Sequence, residues 1–292
     1  RSVAQDGEVL YPSTYVELEV TPMKRLKLVP GLRVDYYSNS DSVDVAPRVS
    51  GRFDVVPSFP KTSLKGGVGL FTQPPSFNEV TPPLGNPGLV SNRAMHYSLG
   101  VEQDLTKQVE VSLEGFYKQL DGLVLTGFGA TTDLRTYSNS GTGNVAGAEL
   151  LLKYKPDDRF FGWLAYTLSR SVRADGPGAK EHLTSFDQTH NLVLLGSYKL
   201  GGGWEFGARF RLVSGNLVAP TVCNSAAGGA RPVLTTPKDG SAPQISYVPA
   251  CDPNRINSIY HAPSGAYTQI PFGGVGSERL PMFHSLDLRI DK

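Results

Sequence analysis

FDQTHNLVLLGSYKLGGGWEFGARFRLVSG, residues 186–215, reads as two strands joined by a reversal at Gly201, Gly202 and Gly203. In the returning strand Trp204, Phe206, Ala208, Phe210 and Leu212 fall on one face. Glu205, Gly207, Arg209 and Arg211 fall on the other, because successive side chains alternate across a strand. One face suits hydrocarbon and the other suits water. A long strand with a single apolar face fits a membrane-spanning β-strand, which needs about 9–11 residues when tilted.

The same split recurs on both sides of this hairpin. Residues 13–20 set Val16, Leu18 and Val20 against Tyr15, Glu17 and Glu19. Residues 26–37 set Leu26, Leu28, Leu32 and Val34 against Lys27, Arg33 and Asp35. Strands follow around 48–55, 63–71, 96–102, 109–115, 148–154 and 160–170, with a last one around 285–290. The 160–170 strand has the least distinct faces, since Phe161 and Trp163 sit opposite Leu164 and Tyr166. Tight turns at 21–24, 57–61, 104–107 and 155–158 alternate with polar loops at 38–44, 72–92, 121–144, 171–185 and 216–278. Outer-membrane barrels have this asymmetry, with short turns at one end and long loops at the other. Tyr36, Tyr37, Tyr117, Tyr154, Phe160 and Trp204 gather near strand ends, where an amphipathic ring sits at headgroup level. The expectation is an all-β, antiparallel transmembrane β-barrel with about 11 strands present. An odd count with free edges in lipid leaves backbone groups unpaired, so the strands belong to a larger barrel.

Composition excludes several other classes. With 28 Lys and Arg against 27 Asp and Glu, the formal charge is +1 and no polyanion-binding surface is implied, so nucleic acid is not an expected partner. No apolar run of about 18 residues could form a membrane-spanning helix, which leaves a barrel open because its strands are only half apolar. The 32 glycines and 22 prolines suit a chain with many turns. His190 follows Asp187 closely, but no nucleophile motif accompanies them and a structural role is the better reading. His96, His182, His261 and His284 show no metal-ligand spacing. GTGNVAG opens a strand instead of a helix, so it reads as a bend and not a phosphate cradle. No enzyme activity, metal or cofactor is expected.

Short segments spread along the chain carry a family resemblance. They are APR (46–48), GLFTQPPSFNEV (69–80), SLGVEQDL (98–105), SNSGTGNVAGAELLLKY (138–154), AYTLSRS (165–171), FDQTHNL (186–192) and LPMFHSLDLRIDK (280–292). In this order they resemble the C-terminal half of the barrel of TonB-dependent outer-membrane receptors. The resemblance implies a barrel of about 22 strands around a plug domain, of which residues 1–292 supply about half the wall. It also implies import of a scarce small-molecule nutrient of the ferric siderophore, cobalamin or oligosaccharide class. The TonB complex would act through a plug domain that has no counterpart in this sequence, and the family's last strand with its terminal aromatic has none either. The polar residues Arg33, Arg52, Glu110, Glu114, Arg209 and Arg211 would face the lumen, and the opposite face would meet outer-membrane lipid. Loop 216–278 would be extracellular. A passive outer-membrane pore and a surface receptor or adhesin without transport are the alternatives.

Cys223 and Cys251 are the only cysteines and both lie in that loop. In an exported chain they are expected to form a disulfide, which closes the loop for roughly 3–4 kcal/mol.

Overall fold

A computed structural model describes residues 7–82, 85–126, 137–218, 230–235, 244–249, 258–261, 266–269 and 278–292. The chain divides into two units, Arg1–Gly215 with Pro281–Lys292, and Asn216–Leu280.

The first unit is an antiparallel sheet. Its strands are β1 (Ser13–Glu17), β2 (Val20–Met23), β3 (Leu26–Tyr37), β4 (Ser42–Val56), β5 (Thr62–Gln73), β6 (Asn92–Asp104) and β7 (Val109–Thr126). They continue with β8 (Tyr137–Tyr154), β9 (Phe160–Ala174), β10 (His182–Leu183), β11 (His190–Gly201) and β12 (Trp204–Val213). The second unit holds the short strands β13 (Leu217–Val218), β14 (Ala230–Thr235), β15 (Gln244–Pro249), β16 (Ser258–His261), β17 (Ala266–Gln269) and β18 (Glu278–Arg279). These pair as β13 with β18, β14 with β15, and β16 with β17. The last strand, β19 (Phe283–Asp291), returns to the sheet of the first unit.

That sheet has 13 strands, of which eleven form one ladder in the order β1-β3-β4-β5-β6-β7-β8-β9-β11-β12-β19. The short strands β2 and β10 pair beside it, on β3 and β9. Nearly every ladder neighbour is the next strand in sequence, as up-and-down hairpins require. The ladder ends at β1 and β19, which do not pair with each other, so the sheet is open. The eleven-strand ladder and the open sheet both agree with the sequence reading. At the β11–β12 reversal Gly201, Gly202 and Gly203 have φ of 94°, 60° and 82°, a left-handed backbone that glycine adopts without a Cβ clash.

Several loop boundaries differ from the sequence reading. The 121–144 segment is largely strand: β7 runs on to Thr126 and β8 begins at Tyr137, with Leu123 opposite Gly141 and Leu125 opposite Ser138. The stretch SNSGTGN has no apolar face, so alternation is silent there, but a ladder needs only backbone N–H and C=O groups. The 38–44 loop shrinks to residues 38–41, because β4 already starts at Ser42. Likewise β9 extends into the 171–185 segment, as far as Ala174. The 72–92 excursion contains a single helical turn, α1 (Phe77–Val80), entered through a capping box in which Glu79 reaches back to the Ser76 N–H at 2.7 Å.

The buried apolar residues are few and scattered, whereas one face of the sheet carries exposed large ones. Val45 is 50% exposed, Leu99 69%, Leu113 50% and Leu286 61%. The pairing registers place all four on the same face. A contiguous apolar face of this extent marks contact with a membrane or another apolar surface.

Candidate functional site

The opposite face carries most of the sheet's charged residues, and register alone assembles it. Residues directly across an antiparallel pair point to the same side. Arg52 lies opposite Lys65, Lys65 opposite Gly100, and Gly100 opposite Glu114. Glu114 leads through Glu149, Thr167, Asn191 and Val213 to β12, where Arg211 and Arg209 alternate on that same side. Arg33, opposite Ala46, and Glu110 on β7 join them. The residues singled out from the sequence, Arg33, Arg52, Glu110, Glu114, Arg209 and Arg211, therefore share one face.

Across β3–β7 most charges on this face are paired with one another, with Asp44 and Lys118 as exceptions. Arg52 donates to Glu102 at 2.6 Å and to Ser63 at 3.0 Å, and the Ser63 hydroxyl donates to Asp54 at 2.7 Å. Lys61 meets Asp54 at 3.2 Å and Lys65 meets Glu114 at 3.0 Å. Arg33 grips Asp35 through both Nε and Nη2 at 2.8 to 3.0 Å. Arg48 reaches Glu17 on β1 at 3.3 Å. Ser63 is fully buried at the centre of this network, and a hydroxyl there keeps its neighbours' lone pairs satisfied. In the β8–β9 turn Lys155 bonds Asp104 at 2.7 Å and lies 3.4 Å from Glu110. The bond to Asp104, with Glu110 nearby, holds the Lys155 ammonium above the usual lysine range. Asp157 in the same turn is held below the usual carboxylate range, first by the Phe160 N–H, then by the Tyr154 hydroxyl and the Arg159 N–H.

Arg209 and Arg211 on β12 differ. Neither makes an ion pair or a side-chain hydrogen bond among the described residues; their cross-strand neighbours are the apolar Leu195 and Val193 on β11, and Asp287 and Ser285 on β19. Phe161 and Trp163 of β9 fall on the same face as the two arginines. Within the β3–β7 region a cavity of about 350 Å³ is bordered by Arg48, His96, Glu114 and Lys118, with Glu149 of β8 at its margin. Phe71 packs on His96 with ring centroids 4.3 Å apart.

Asp187 and His190 do not act together. Asp187, only 1% exposed, accepts the Ser171 N–H and the Thr189 hydroxyl, which ties the loop to β9. His190 faces the Tyr166 hydroxyl at 2.8 Å instead. The sequence reading missed Ser63, Asp54, Lys65, Glu102 and Lys155 as members of the polar network. Alternation along each strand puts Asp54, Lys65 and Glu102 on the polar side, but which charges meet depends on the register between strands. Cys223 and Cys251 lie outside the described residues.

The family model described as TonB dependent receptor-like, beta-barrel matches residues 4–242. The chain belongs to this family. The proteins of the TonB-dependent receptor family are outer-membrane β-barrels, and the one-sided sheet is what such a barrel wall requires. Among solved structures, this receptor barrel is similar to a mutant of the ferric enterobactin receptor of Pseudomonas aeruginosa, with 14% identity, 96% of this chain, 37% of that chain and a TM-score of 0.60. It is also similar to the ferric-catecholate import receptor Fiu of E. coli K12, with 14% identity, 72% of this chain, 35% of that chain and a TM-score of 0.58. The FrpB iron transporter of Neisseria meningitidis gives 16%, 74%, 35% and 0.57 in the same order. The receptor barrel thus spans roughly a third of the length of these structures, and at such identities the likeness speaks for fold alone. No curated protein matches it.

Proposed function

We propose that this chain is a section of the wall of an outer-membrane importer coupled to TonB through a plug domain. Its polar face lines the lumen, its apolar face meets lipid, and residues 216–278 lie outside the cell. The observation that carries this reading is the division of the sheet into one charged and one exposed apolar face, in a chain of the TonB-dependent receptor family.

Of the nutrient classes open to such importers, ferric siderophores are the best supported. The solved structures named above are described as iron or ferric-siderophore receptors, and Arg209 and Arg211 offer two guanidinium groups to an anionic chelate. Neutral oligosaccharides give such a pair no anionic partner. The part assigned to the chain is positioning and passage, with no catalytic step.

Uptake of ferric siderophores under iron limitation tests the reading, using a strain that depends on the full-length receptor. Loss of uptake on deleting either the receptor or TonB is the expected result. Uptake that persists without TonB would replace the importer with a passive pore, and siderophore binding without uptake would leave a surface receptor. The expected Cys223–Cys251 disulfide is checked by alkylating the denatured, unreduced protein, which should take up no label at either position.

A further inference from the structure

The excursion between β5 and β6 has no periodicity, yet its backbone is bonded throughout. The N–H groups of Glu79, Thr81, Gly85, Asn86, Leu89 and Val90 all find acceptors, at 2.7 to 3.2 Å. Its two described parts, 75–82 and 85–91, are joined by the Asn86 N–H to the Glu79 carbonyl at 2.7 Å and by the Gly85 N–H to the Thr81 carbonyl at 2.9 Å. Pro75, Val80 and Leu89 are buried.

Asparagine side chains fasten this excursion to the strand ends on both sides of it. Asn39, in the β3–β4 turn, donates to the Pro75 carbonyl at 3.0 Å. On the other side Asn139 of β8 accepts the Val90 N–H at 2.8 Å, and its Nδ2 donates to the carbonyls of Val90 at 2.9 Å and Gly122 at 2.8 Å. Asn86 donates to the Tyr137 carbonyl at 3.0 Å, and Asn92 accepts the Val124 N–H at 3.0 Å. Residues 69–80 and 138–154, two of the segments that carry the family resemblance, are tied together in this way.

We propose that residues 75–82 and 85–91 form a brace that opens and closes as one cooperative unit, with Asn139 as its latch, and that joins the β3–β4 turn to the ends of β7 and β8. A mobile loop leaves its N–H groups to water and buries few apolar side chains, and this excursion does neither. Asn139 has a large share in holding it, because one amide fills three hydrogen-bonding roles between β8, Val90 and Gly122. Opening the brace at Asn139 would leave these groups without partners until water reached them. The brace rests on the fold alone. On the importer reading it is a preformed part of the loop-end rim, in place before a substrate arrives.

Hydrogen exchange of the full-length receptor in detergent, read by mass spectrometry of its peptides, tests the brace. Peptides over 75–82 and 85–91 should exchange about a hundredfold or more slowly than an unstructured chain. Asn139→Ala should speed both by the same factor, about tenfold or more, because a unit that opens as one loses the same stability throughout. Asn39→Ala, which removes one bond, should also speed both alike, by a smaller factor. Peptides over residues 95–101 of β6 should not change in either variant. Exchange of the wild type at the unstructured rate overturns the proposal. So does faster exchange of 85–91 alone in Asn139→Ala, or of 75–82 alone in Asn39→Ala, since either outcome means two independent loops. If Asn139→Ala fails to show the heat-modifiable mobility of a folded barrel, Asn39→Ala decides alone. Exchange is read whether or not the receptor takes up a siderophore, so failure of the importer and failure of the brace are separate results.

Discussion

The polar face of the sheet is built in two ways. Across β3–β7 the charges that define it meet opposite charges within the wall, with Arg52, Asp54, Ser63 and Glu102 as the tightest group. Across β11 and β12, Arg209 and Arg211 have no ion-pair partner among the described residues and stand beside the apolar Val193 and Leu195. Most charges of the first region meet a partner within the wall, although Asp44 keeps a buried carboxylate oxygen without one and Lys118 lies over the Phe116 ring. The second presents guanidinium groups beside apolar side chains, with Asp287 opposite Arg209 on the other flank. On the proposed importer reading, the first half of the wall would serve structure and the second recognition.

The largest expected effect lies in the unpaired region. Arg209→Glu with Arg211→Glu should reduce siderophore uptake by about tenfold or more, since losing one partner of a desolvated charge pair costs about 2–5 kcal/mol. The melting temperature of the full-length receptor in detergent should fall only modestly, because no ion pair within the wall is lost and the added cost is the like-charge pairing that Arg209→Glu creates with Asp287 on β19. A large fall in melting temperature with normal uptake would reverse the comparison and make these arginines structural.

A smaller effect, of the opposite kind, belongs to the paired region. Arg52→Met removes the partner of Glu102 and Asp54, whose side chains are 23% and 24% exposed. A fully buried pair broken in this way costs about 3–5 kcal/mol. The Arg52 side chain is 37% exposed, so solvent screening lowers the expected loss to about 1–2 kcal/mol. Adding Glu102→Gln should recover part of it, because no carboxylate is then left facing an absent cation. Urea unfolding of the full-length receptor measures both. Equal stability of wild type and Arg52→Met would mean that the network is ornamental and the two regions do not differ.

The difference between the regions also explains what was legible in the sequence. Where charged and apolar residues alternate, as in Leu26–Tyr37 and Trp204–Val213, both the strand and its face could be read directly. Where glycine, serine and asparagine fill the strand, as in residues 138–144, there is no contrast between faces and the strand passed for loop. In β9 the faces were blurred because Phe161 and Trp163 lie on the charged side, two strands from the arginines. That Arg33, Arg52, Glu110, Glu114, Arg209 and Arg211 share one face was readable because parity along each strand is enough to assign it. Which of those charges pair and which stand alone was not, because pairing depends on the register between strands.

The smallest effect tests the seam between the regions, the β8–β9 turn. On one side Lys155 ties the turn to Asp104 and Glu110 of the paired region, and on the other Arg159 and Phe160 begin the strand that leads to the unpaired one. Asp157 holds the turn by accepting the N–H groups of Arg159 and Phe160 and the Tyr154 hydroxyl. These bonds favour its ionised form and depress its folded-state pKa. Its contribution to stability is therefore complete above the unfolded carboxylate value of about 3.9 and is lost as pH falls through the lower folded value. Asp157→Ala should lower the melting temperature at neutral pH by on the order of a degree or two. The gap between variant and wild type should close as the pH falls below about 4. A gap that stays constant down to the lowest pH would show that the carboxylate charge has no part in holding the turn, and that the two regions are joined by backbone pairing alone.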